Sequence, residues 1–266
     1  MPSRSLRTAA SGMAAQQLNI QIIANNIANI NTTGFKKSKA EFQDLMYQTV
    51  SVNSSSSTTF GRQDASSTKI QVGNGVQPAS TQKIFMQGDL VATNNEFDVA
   101  IQGEGFFQVR KPDGSFGYTR DGSFKINAEG QMVTSNGYIL EPEITLNDDA
   151  VGIIVGRDGT LQVREADGET YILDNLQLAR FMNPAGLDPV GDNLFRETEI
   201  SGTALLGTPG ASGFGELHQG YLESSNVEIV EEMIAMIAAQ RAYEINSKTV
   251  KTVEDMMQQA NNLKRG

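Results

Sequence analysis

Apolar residues recur every seven positions at both ends of the chain. Near the start they are Leu6, Met13, Ile20 and Ile27, and near the end the same period runs from Ile229 to Met257. A seven-residue repeat is typical of a helix whose apolar stripe is buried against a matching stripe on another helix. We therefore predict two terminal helices that pair, with the rest of the chain inserted between them.

The first helix is predicted over residues 3–31, where Thr32-Thr33-Gly34 ends it, because glycine commonly follows a helix C-terminus. Residues 36–47 are predicted to hold another helical turn or two. The last helix is predicted over residues 225–263, and its length of roughly 57 Å exceeds the expected size of the central domain. We expect the terminal helices to become ordered on assembly.

Between residues 84 and 181 the apolar period changes to two, as in short strands. Glycine-containing dipeptides that supply a positive φ to tight turns divide these strands. They are Asp113-Gly114, Asp121-Gly122, Glu129-Gly130, Asn136-Gly137, Asp158-Gly159 and Asp167-Gly168. This pattern predicts an antiparallel β domain resembling a sandwich or barrel, followed over residues 182–215 by a loop with a little strand.

Residues 49–80 have a different composition, with a Ser/Thr-rich run at positions 53–59 that has too little apolar surface to fold alone. Two interpretations stay open for this segment. It is either a flexible linker or an extended arm that becomes ordered against a neighbouring molecule.

The predicted fold is therefore mixed: a terminal α-helical coiled-coil domain formed by both chain ends, with an inserted all-β antiparallel domain. Its parts are an N-terminal helical half over residues 1–48, the linker or arm over 49–80, the β domain over 81–220 and a C-terminal helical half over 221–266.

Composition excludes several classes of function. The net charge of −10 over 266 residues argues against a nucleic-acid or anionic-membrane surface, and there is no cysteine for a disulfide or thiolate metal site. No apolar run of about 18 residues occurs, so we predict no membrane insertion. The start also lacks the apolar stretch of a secretory signal, so we expect a protein that is cytoplasmic or exported without a cleaved signal.

The chain offers little for catalysis. His218 is the single histidine, and no Gly-x-Ser-x-Gly motif is present. The carboxylate pairs Glu141/Glu143 and Asp148/Asp149 are typical of solvated surface, and there is no tryptophan for stacking on a sugar. We predict no catalytic residue, cofactor or metal site.

The candidate functional residues belong instead to an assembly interface. Asparagine is a poor helix former, so the three asparagines at positions 25, 26 and 29 suggest amide hydrogen bonds to a partner. Charged residues beside an apolar stripe can fix the register of packed helices. The predicted interface comprises Leu6, Met13, Ile20, Asn25, Asn26, Ile27, Asn29, Ile30, Ile229, Met236, Ile237, Gln240, Arg241, Tyr243, Glu244, Val250 and Met257.

The same segments carry a family likeness. Residues 24–29 and 31–36, and near the other end residues 222–227 and 240–244, resemble the terminal signatures of bacterial flagellar rod and hook proteins. Central segments at residues 71–76, 87–90, 98–107 and 118–124 resemble the distal-rod members of that family, and the likeness is weakest at residues 51–69.

The resemblance implies a structural subunit of the straight, hollow drive shaft that crosses the periplasm and transmits torque to the hook. It implies that the chain forms a helical homopolymer and is exported by the flagellar type III apparatus. It also implies neighbours: proximal rod proteins, the hook protein and the surrounding L and P ring proteins. Two alternatives remain, a hook or proximal-rod paralogue, and a secreted carbohydrate-binding or hydrolytic β protein.

Overall fold

The computed structural model describes residues 2–52, 68–147, 150–165, 169–211 and 213–263. The chain divides into two compact units. The first comprises residues 1–24, 39–81 and 230–266, and the second comprises residues 25–38 and 82–229. The Ser/Thr-rich run 53–59, the pair Asp148/Asp149 and the dipeptide Asp167-Gly168 lie outside the described residues.

Both predicted terminal helices are present, as Pro2–Ala28 (α1) and Ile229–Leu263 (α2). Helix α2 begins four residues later than predicted because the preceding segment is bonded elsewhere. The Ser224 backbone N–H donates to the Asp89 carbonyl at 2.8 Å, and the Asn226 side chain accepts from the Lys37 backbone N–H at 2.8 Å.

In the first unit, α1 and α2 approach each other closely where Gly12 faces Asn246. A Cβ added at Gly12 would lie 2.9 Å from Nδ2 of Asn246, so a larger residue there would require the Asn246 side chain to move. A Cβ at Gly75 would lie 2.2 Å from the Ser11 hydroxyl oxygen, which shows that the turn at residues 73–76 also contacts α1.

The further helical turns predicted at residues 36–47 are wrong, because Ser38–Asp44 forms a strand (β1). Ala40 and Phe42 alternate there with polar neighbours, which is the period of a strand. β1 pairs with Val76–Lys83 (β4), and Gln48–Val52 (β2) pairs with Thr68–Val72 (β3). Each pair is a two-stranded ribbon rather than part of a larger sheet.

The second unit is built from antiparallel strands, which confirms the β prediction for the middle of the chain. Its strands are Leu90–Ala92 (β5), Val99–Gln102 (β6), Phe106–Arg110 (β7), Phe116–Thr119 (β8), Phe124–Ile126 (β9), Met132–Thr134 (β10), Ile139–Glu141 (β11), Ala150–Val155 (β12), Thr160–Glu165 (β13), Thr170–Asn175 (β14), Leu178–Arg180 (β15), Asp188–Gly191 (β16), Leu194–Arg196 (β17), Leu205–Gly207 (β18), Glu216–Gln219 (β19) and Tyr221–Glu223 (β20). Residues 182–215, predicted as mostly loop, thus supply three strands and a 3₁₀ turn at Pro184–Gly186.

The main sheet has nine strands. Seven follow the order β16-β17-β8-β7-β11-β10-β9, while β15 pairs with both β7 and β18. A three-stranded sheet has the order β12-β13-β14, and β19 and β20 pair with β6 and β5. The last two pairings bring the end of the second unit back to its beginning, with Glu216 opposite Gln102 and Glu223 opposite Leu90.

Glycine acts at the turns in two ways. Gly114, Gly130, Gly137 and Gly159 have φ between 78° and 84°, as the turn prediction requires. Gly122 has another reason, since an added Cβ would lie 1.7 Å from the Val99 carbonyl oxygen. There the glycine permits close backbone approach rather than a left-handed turn.

The central strand β7 is buried on both faces, because successive side chains point to opposite sides of a sheet. Phe107 lies in the larger core with residues such as Leu161 and Leu217, all fully buried. Phe106 lies in a smaller, mostly aromatic core with Tyr118, Phe181 and Phe195. The second unit therefore encloses its own apolar interior.

Candidate functional site

A cluster of charges is buried in the second unit beside the chain segments that follow α1 and precede α2. Lys36, Arg120 and Glu223 are each 5% exposed or less. Lys36 comes from the loop after α1, Arg120 follows β8, and Glu223 ends β20. We call Lys36, Arg120, Glu223 and the nearby Asn226 the junction cluster.

The Lys36 ammonium makes two short contacts. Its Nζ lies 2.5 Å from Oε1 of Glu223 and donates to the Met86 carbonyl at 2.6 Å. Burial lowers the pKa of Lys36, and the Glu223 carboxylate opposes that shift. An ammonium withdrawn from water in this way depends on its carboxylate partner.

Arg120 approaches the other oxygen of the same carboxylate. Its Nη1 lies 3.4 Å from Oε2 of Glu223, and Nη2 donates to the Gly103 carbonyl at 2.7 Å. The guanidinium lies 5.4 Å from the centre of the Phe106 ring, and its Nε is buried without a hydrogen-bond partner among the described residues. Burial lowers the pKa of Arg120, while Glu223 and Glu104 oppose that change.

Backbone groups complete the cluster. The Gly34 N–H donates to the Glu223 carbonyl at 2.8 Å, and the Gly88 N–H donates to the Glu223 carboxylate at 3.0 Å. The Asn226 amide donates to the Ile84 carbonyl at 2.8 Å while accepting from the Lys37 N–H. A single turn around Glu223 and Asn226 is thus bonded to three separate stretches of chain.

Two glycines make this close packing possible. Gly34 has φ of 67°, and an added Cβ would lie 2.7 Å from backbone atoms of Arg120 and Asp121. A Cβ at Gly88 would lie 2.1 Å from the Ser224 carbonyl oxygen. Larger residues at these positions would force the segments apart.

The arrangement holds chain segments together. A group of three or more His, Cys, Asp or Glu side chains suited to a metal ion is absent from the described part of the chain. His218 lies on β19 with its ring 6.2 Å from that of Tyr221. The junction cluster links residues 33–37 to residues 223–226. The first segment follows α1 in the chain, and the second precedes α2.

The predicted interface residues differ in exposure. Asn26 is buried, and its side chain donates to the Ser38 carbonyl and accepts from the Ser38 N–H, both at 2.9 Å. This asparagine therefore bonds within its own chain, and the expected amide hydrogen bonds of the three asparagines to a partner stay a prediction. The half-buried members are Leu6, Met13, Ile20, Ile27, Asn29, Ile30, Met236, Val250 and Met257, and the exposed members are Asn25, Ile229, Ile237, Gln240, Arg241, Tyr243 and Glu244.

Helix α2 has one covered face and one uncovered apolar face. Its buried or half-buried positions are Glu232, Met236, Ala239, Ala242, Asn246, Ser247, Val250, Val253 and Met257. Apart from Ser247, which directly follows Asn246, they recur at intervals of three or four residues. On the opposite side, Val230, Ile234 and Ile237 are 68%, 63% and 50% exposed. The sequence repeat located the covered face through Met236, Val250 and Met257 but assigned Ile229 and Tyr243 to it as well.

Sequence reasoning did not single out the junction cluster. Lys36 and Glu223 stand inside the two terminal signatures, and Arg120 stands inside a central one, so the motifs contained them. Their charges gave no signal, because most lysines, arginines and glutamates in proteins are exposed.

Comparison with known proteins matches the start, the middle and the end of the chain to families of one class of proteins. A model of the flagella basal body rod protein family matches residues 6–36, a model of the flagellar hook protein FlgE/F/G D1 domain matches residues 100–163, and a model of the flagellar basal body rod FlgEFG protein C-terminal matches residues 218–263. The chain is therefore a protein of the flagellar rod and hook class.

Individual relatives narrow the class. The chain is 49% identical to the flagellar basal-body rod protein FlgG of Borreliella burgdorferi, covering 98% of this chain and 99% of the relative. It is 47% identical to FlgG of Caulobacter vibrioides, with 98% and 99% covered, and 38% identical to FlgG of Bacillus subtilis, with the same coverage. The chain belongs to the FlgG family and is a structural component of the flagellar basal-body rod.

A solved structure of a Helicobacter pylori flagellar hook protein is also similar, with 12% identity over 71% of this chain and 43% of that chain. The TM-score of that comparison is 0.24. Members of the rod family are not known as enzymes. No helix in the described ranges combines the length and apolar character needed to cross a membrane.

Proposed function

We propose that this protein self-assembles helically into the distal rod, a rigid hollow shaft that crosses the periplasm and transmits torque to the hook. Proximal rod proteins, the hook protein and the L and P ring proteins would be its neighbours. The flagellar export apparatus would deliver it without a cleaved signal. The relatives named as rod proteins over nearly the full length of the chain support this proposal.

The uncovered apolar face of α2 is the observation that carries it. Val230, Met233, Ile234 and Ile237 are each at least half exposed and lie on consecutive turns of one helix. Burying each such side chain fully is worth roughly 1.5–3 kcal/mol. A chain that leaves this surface in water gains substantially by covering it with the helices of neighbouring copies.

The two-stranded ribbons support assembly as well. Of the seven residues of β1, only Ala40 is buried, and Ile70 on β3 is 47% exposed. Such ribbons are marginal in water without a sheet or helix packed against them. We propose that the arm at residues 49–80 is covered by adjacent copies and resists bending of the shaft.

The predicted interface divides into groups with different proposed roles. The exposed members Asn25, Ile229, Ile237, Gln240, Arg241, Tyr243 and Glu244 would contact neighbouring copies, while the half-buried members Leu6, Met13, Ile20, Met236, Val250 and Met257 of the first unit would support the pairing of α1 and α2. Asn26, Ile27, Asn29 and Ile30 lie in the second unit and stay predicted members of the interface. The ends at residues 1–48 and 221–266 would act together as the assembly domain in a coiled-coil arrangement.

Residues of both the nine- and three-stranded sheets share one core, which favours a sandwich-like β domain.

Each copy would bind the next head to tail, because an interface of this kind generates a filament when its rotation does not close. Stiffness would then arise from many parallel contacts.

Electron microscopy of motor complexes from cells lacking the gene tests the proposal. We expect short rods without hooks, restored by the wild-type chain and by Thr252→Asp but not by Ile234→Asp. Thr252 is an exposed polar residue on the same side of α2 and serves as the matched control. Circular dichroism of purified Ile234→Asp should match the wild type. Intact rods and hooks in the deletion strain would overturn the proposal.

A further inference from the structure

A small cavity lies in the second unit beside the junction cluster. Its volume is about 150 Å³, and its lining includes Asn29, Phe35, Lys83, Asp192 and Asn193. These residues come from the loop after α1, the end of β4 and the turn between β16 and β17.

The Lys83 ammonium has more hydrogen-bond donors than it uses among the described residues. Its ammonium lies 4.5 Å from the centre of the Phe35 ring and donates to the Lys36 carbonyl at 3.1 Å. Among the described residues, no carboxylate lies within ion-pairing distance of it. Burial lowers the pKa of Lys83. An ammonium has three donors, so two remain for a ligand.

The rim of the cavity is fixed before any ligand arrives. Asp192 and Asn193 both have left-handed backbones, with φ of 54° and 58°. The Tyr138 hydroxyl donates to the Asp192 carboxylate at 3.1 Å, and the Thr119 hydroxyl donates to the Asn193 carbonyl at 2.9 Å. Asp and Asn adopt this backbone conformation more readily than most residues, and the two bonds hold the turn between β16 and β17 in place.

Lys83 gives this cavity a binding position for an anion. Lys36 is paired with Glu223, and the Asp192 carboxylate on the rim accepts a hydrogen bond from Tyr138. Lys83 has no ion-pair partner among the described residues, and a carboxylate fits both its charge and its two spare donors. The side-chain amide of Asn193 donates to the Thr33 carbonyl at 3.2 Å and holds the loop after α1 against the same rim.

We propose that this cavity receives an aspartate or glutamate side chain from a neighbouring copy of the chain. This inference rests on the proposed self-assembly. Each copy carries 31 acidic residues against 21 lysines and arginines, so a neighbouring copy has many carboxylates that could occupy the cavity. The cavity is large enough for one side chain but too small for a folded segment.

Zero-length crosslinking with a carbodiimide tests the contact, because this reagent joins an amine only to a carboxylate that touches it. Rods would be polymerised from an equal mixture of full-length ¹⁴N and ¹⁵N protein and analysed by mass spectrometry. We expect Lys83 joined to an acidic residue in mixed-isotope peptide pairs. Unpolymerised protein should lack this link.

Variants give a second readout. Lys83→Met should raise the critical concentration for polymerisation about tenfold, whereas Lys83→Arg should retain much of the wild-type behaviour. Lys125→Met, which removes an exposed lysine of the same unit, is the matched control and should have no effect.

The outcomes separate the two proposals. Rods that form without a Lys83 link, or with links only between peptides of one isotope, would overturn the cavity assignment and leave self-assembly intact. Absence of rods from the wild-type protein would overturn the proposed function and this inference with it.

Discussion

The strand β7 and the helix α2 both carry apolar residues but bury them to different extents. In β7, Phe106, Phe107, Gln108 and Val109 are all buried. In α2, which has 35 residues, the buried ones are Glu232, Ala239 and Val253. The β unit covers its own interior, whereas the helical unit keeps an apolar surface uncovered. The β unit thus covers its apolar residues on folding, whereas the proposed assembly would cover those of the helical unit.

Removal of the Glu223 charge should have the largest effect on the self-sufficient unit. Glu223→Gln leaves Lys36 and Arg120 buried without a carboxylate, and we expect the free energy of unfolding to fall by about 3–5 kcal/mol. Urea titration of the full chain followed by circular dichroism measures it. Glu129→Gln, at an exposed position, should change little. A loss below about 1 kcal/mol for Glu223→Gln would show that the cluster is not needed for stability.

Substitution of Gly34 should cause the second-largest loss of stability. Alanine there combines a left-handed backbone with a Cβ 2.7 Å from Arg120, and we expect a loss of about 3 kcal/mol. Gly114→Ala isolates the backbone cost, because Gly114 has φ of 81° with open space around it, and should lose about 1 kcal/mol. Equal losses in the two variants, measured by thermal unfolding, would mean that close packing at the junction is unimportant.

Substitutions at two adjacent positions of α2 should lower stability by different amounts, because one residue is half-buried and the other is exposed. Met236→Asp should destabilise the first unit by about 2 kcal/mol because Met236 is half-buried, whereas Ile237→Asp should cost less than about 0.5 kcal/mol. Amide hydrogen exchange across α2 measures this difference in the monomer. Both variants should fail to assemble. Normal swimming of cells with Met236→Asp would contradict the role of the helices in the rod.

The smallest expected effect concerns the smaller core of the β unit. Burial, with help from Glu197, raises the pKa of Tyr118 to about 12. Its pKa in the unfolded chain is about 10, so above pH 10 the unfolded state binds fewer protons than the folded state and stability falls as pH rises. At pH 11 the loss is about 1 kcal/mol, and Tyr118→Phe should abolish that part of the pH dependence. Urea midpoints at pH 9 and pH 11 test this, and identical slopes for both proteins would contradict the assignment.

The sequence predicted the local features of this fold better than its long-range ones. The seven-residue repeats located both helices, and the Asp113-Gly114 and Asn136-Gly137 turns adopt the positive φ that was predicted. Residues 36–47 were misassigned to helix because a run of polar residues with Ala40 and Phe42 is too short for its period to stand out. Pairings such as β19 with β6 join segments more than a hundred residues apart, and local pattern gives no information about them.

The sequence by itself determined that the two ends are amphipathic helices, that the middle is β-sheet, and that catalytic chemistry is poorly provided for. These follow from backbone preferences and from the spacing of apolar residues, which act over a few neighbours in the chain. Only the tertiary structure shows that Lys36, Arg120 and Glu223 are buried together. It also shows which face of α2 remains exposed. Burial of a charge or of an apolar face depends on segments distant in sequence, so it is settled only when the chain has folded.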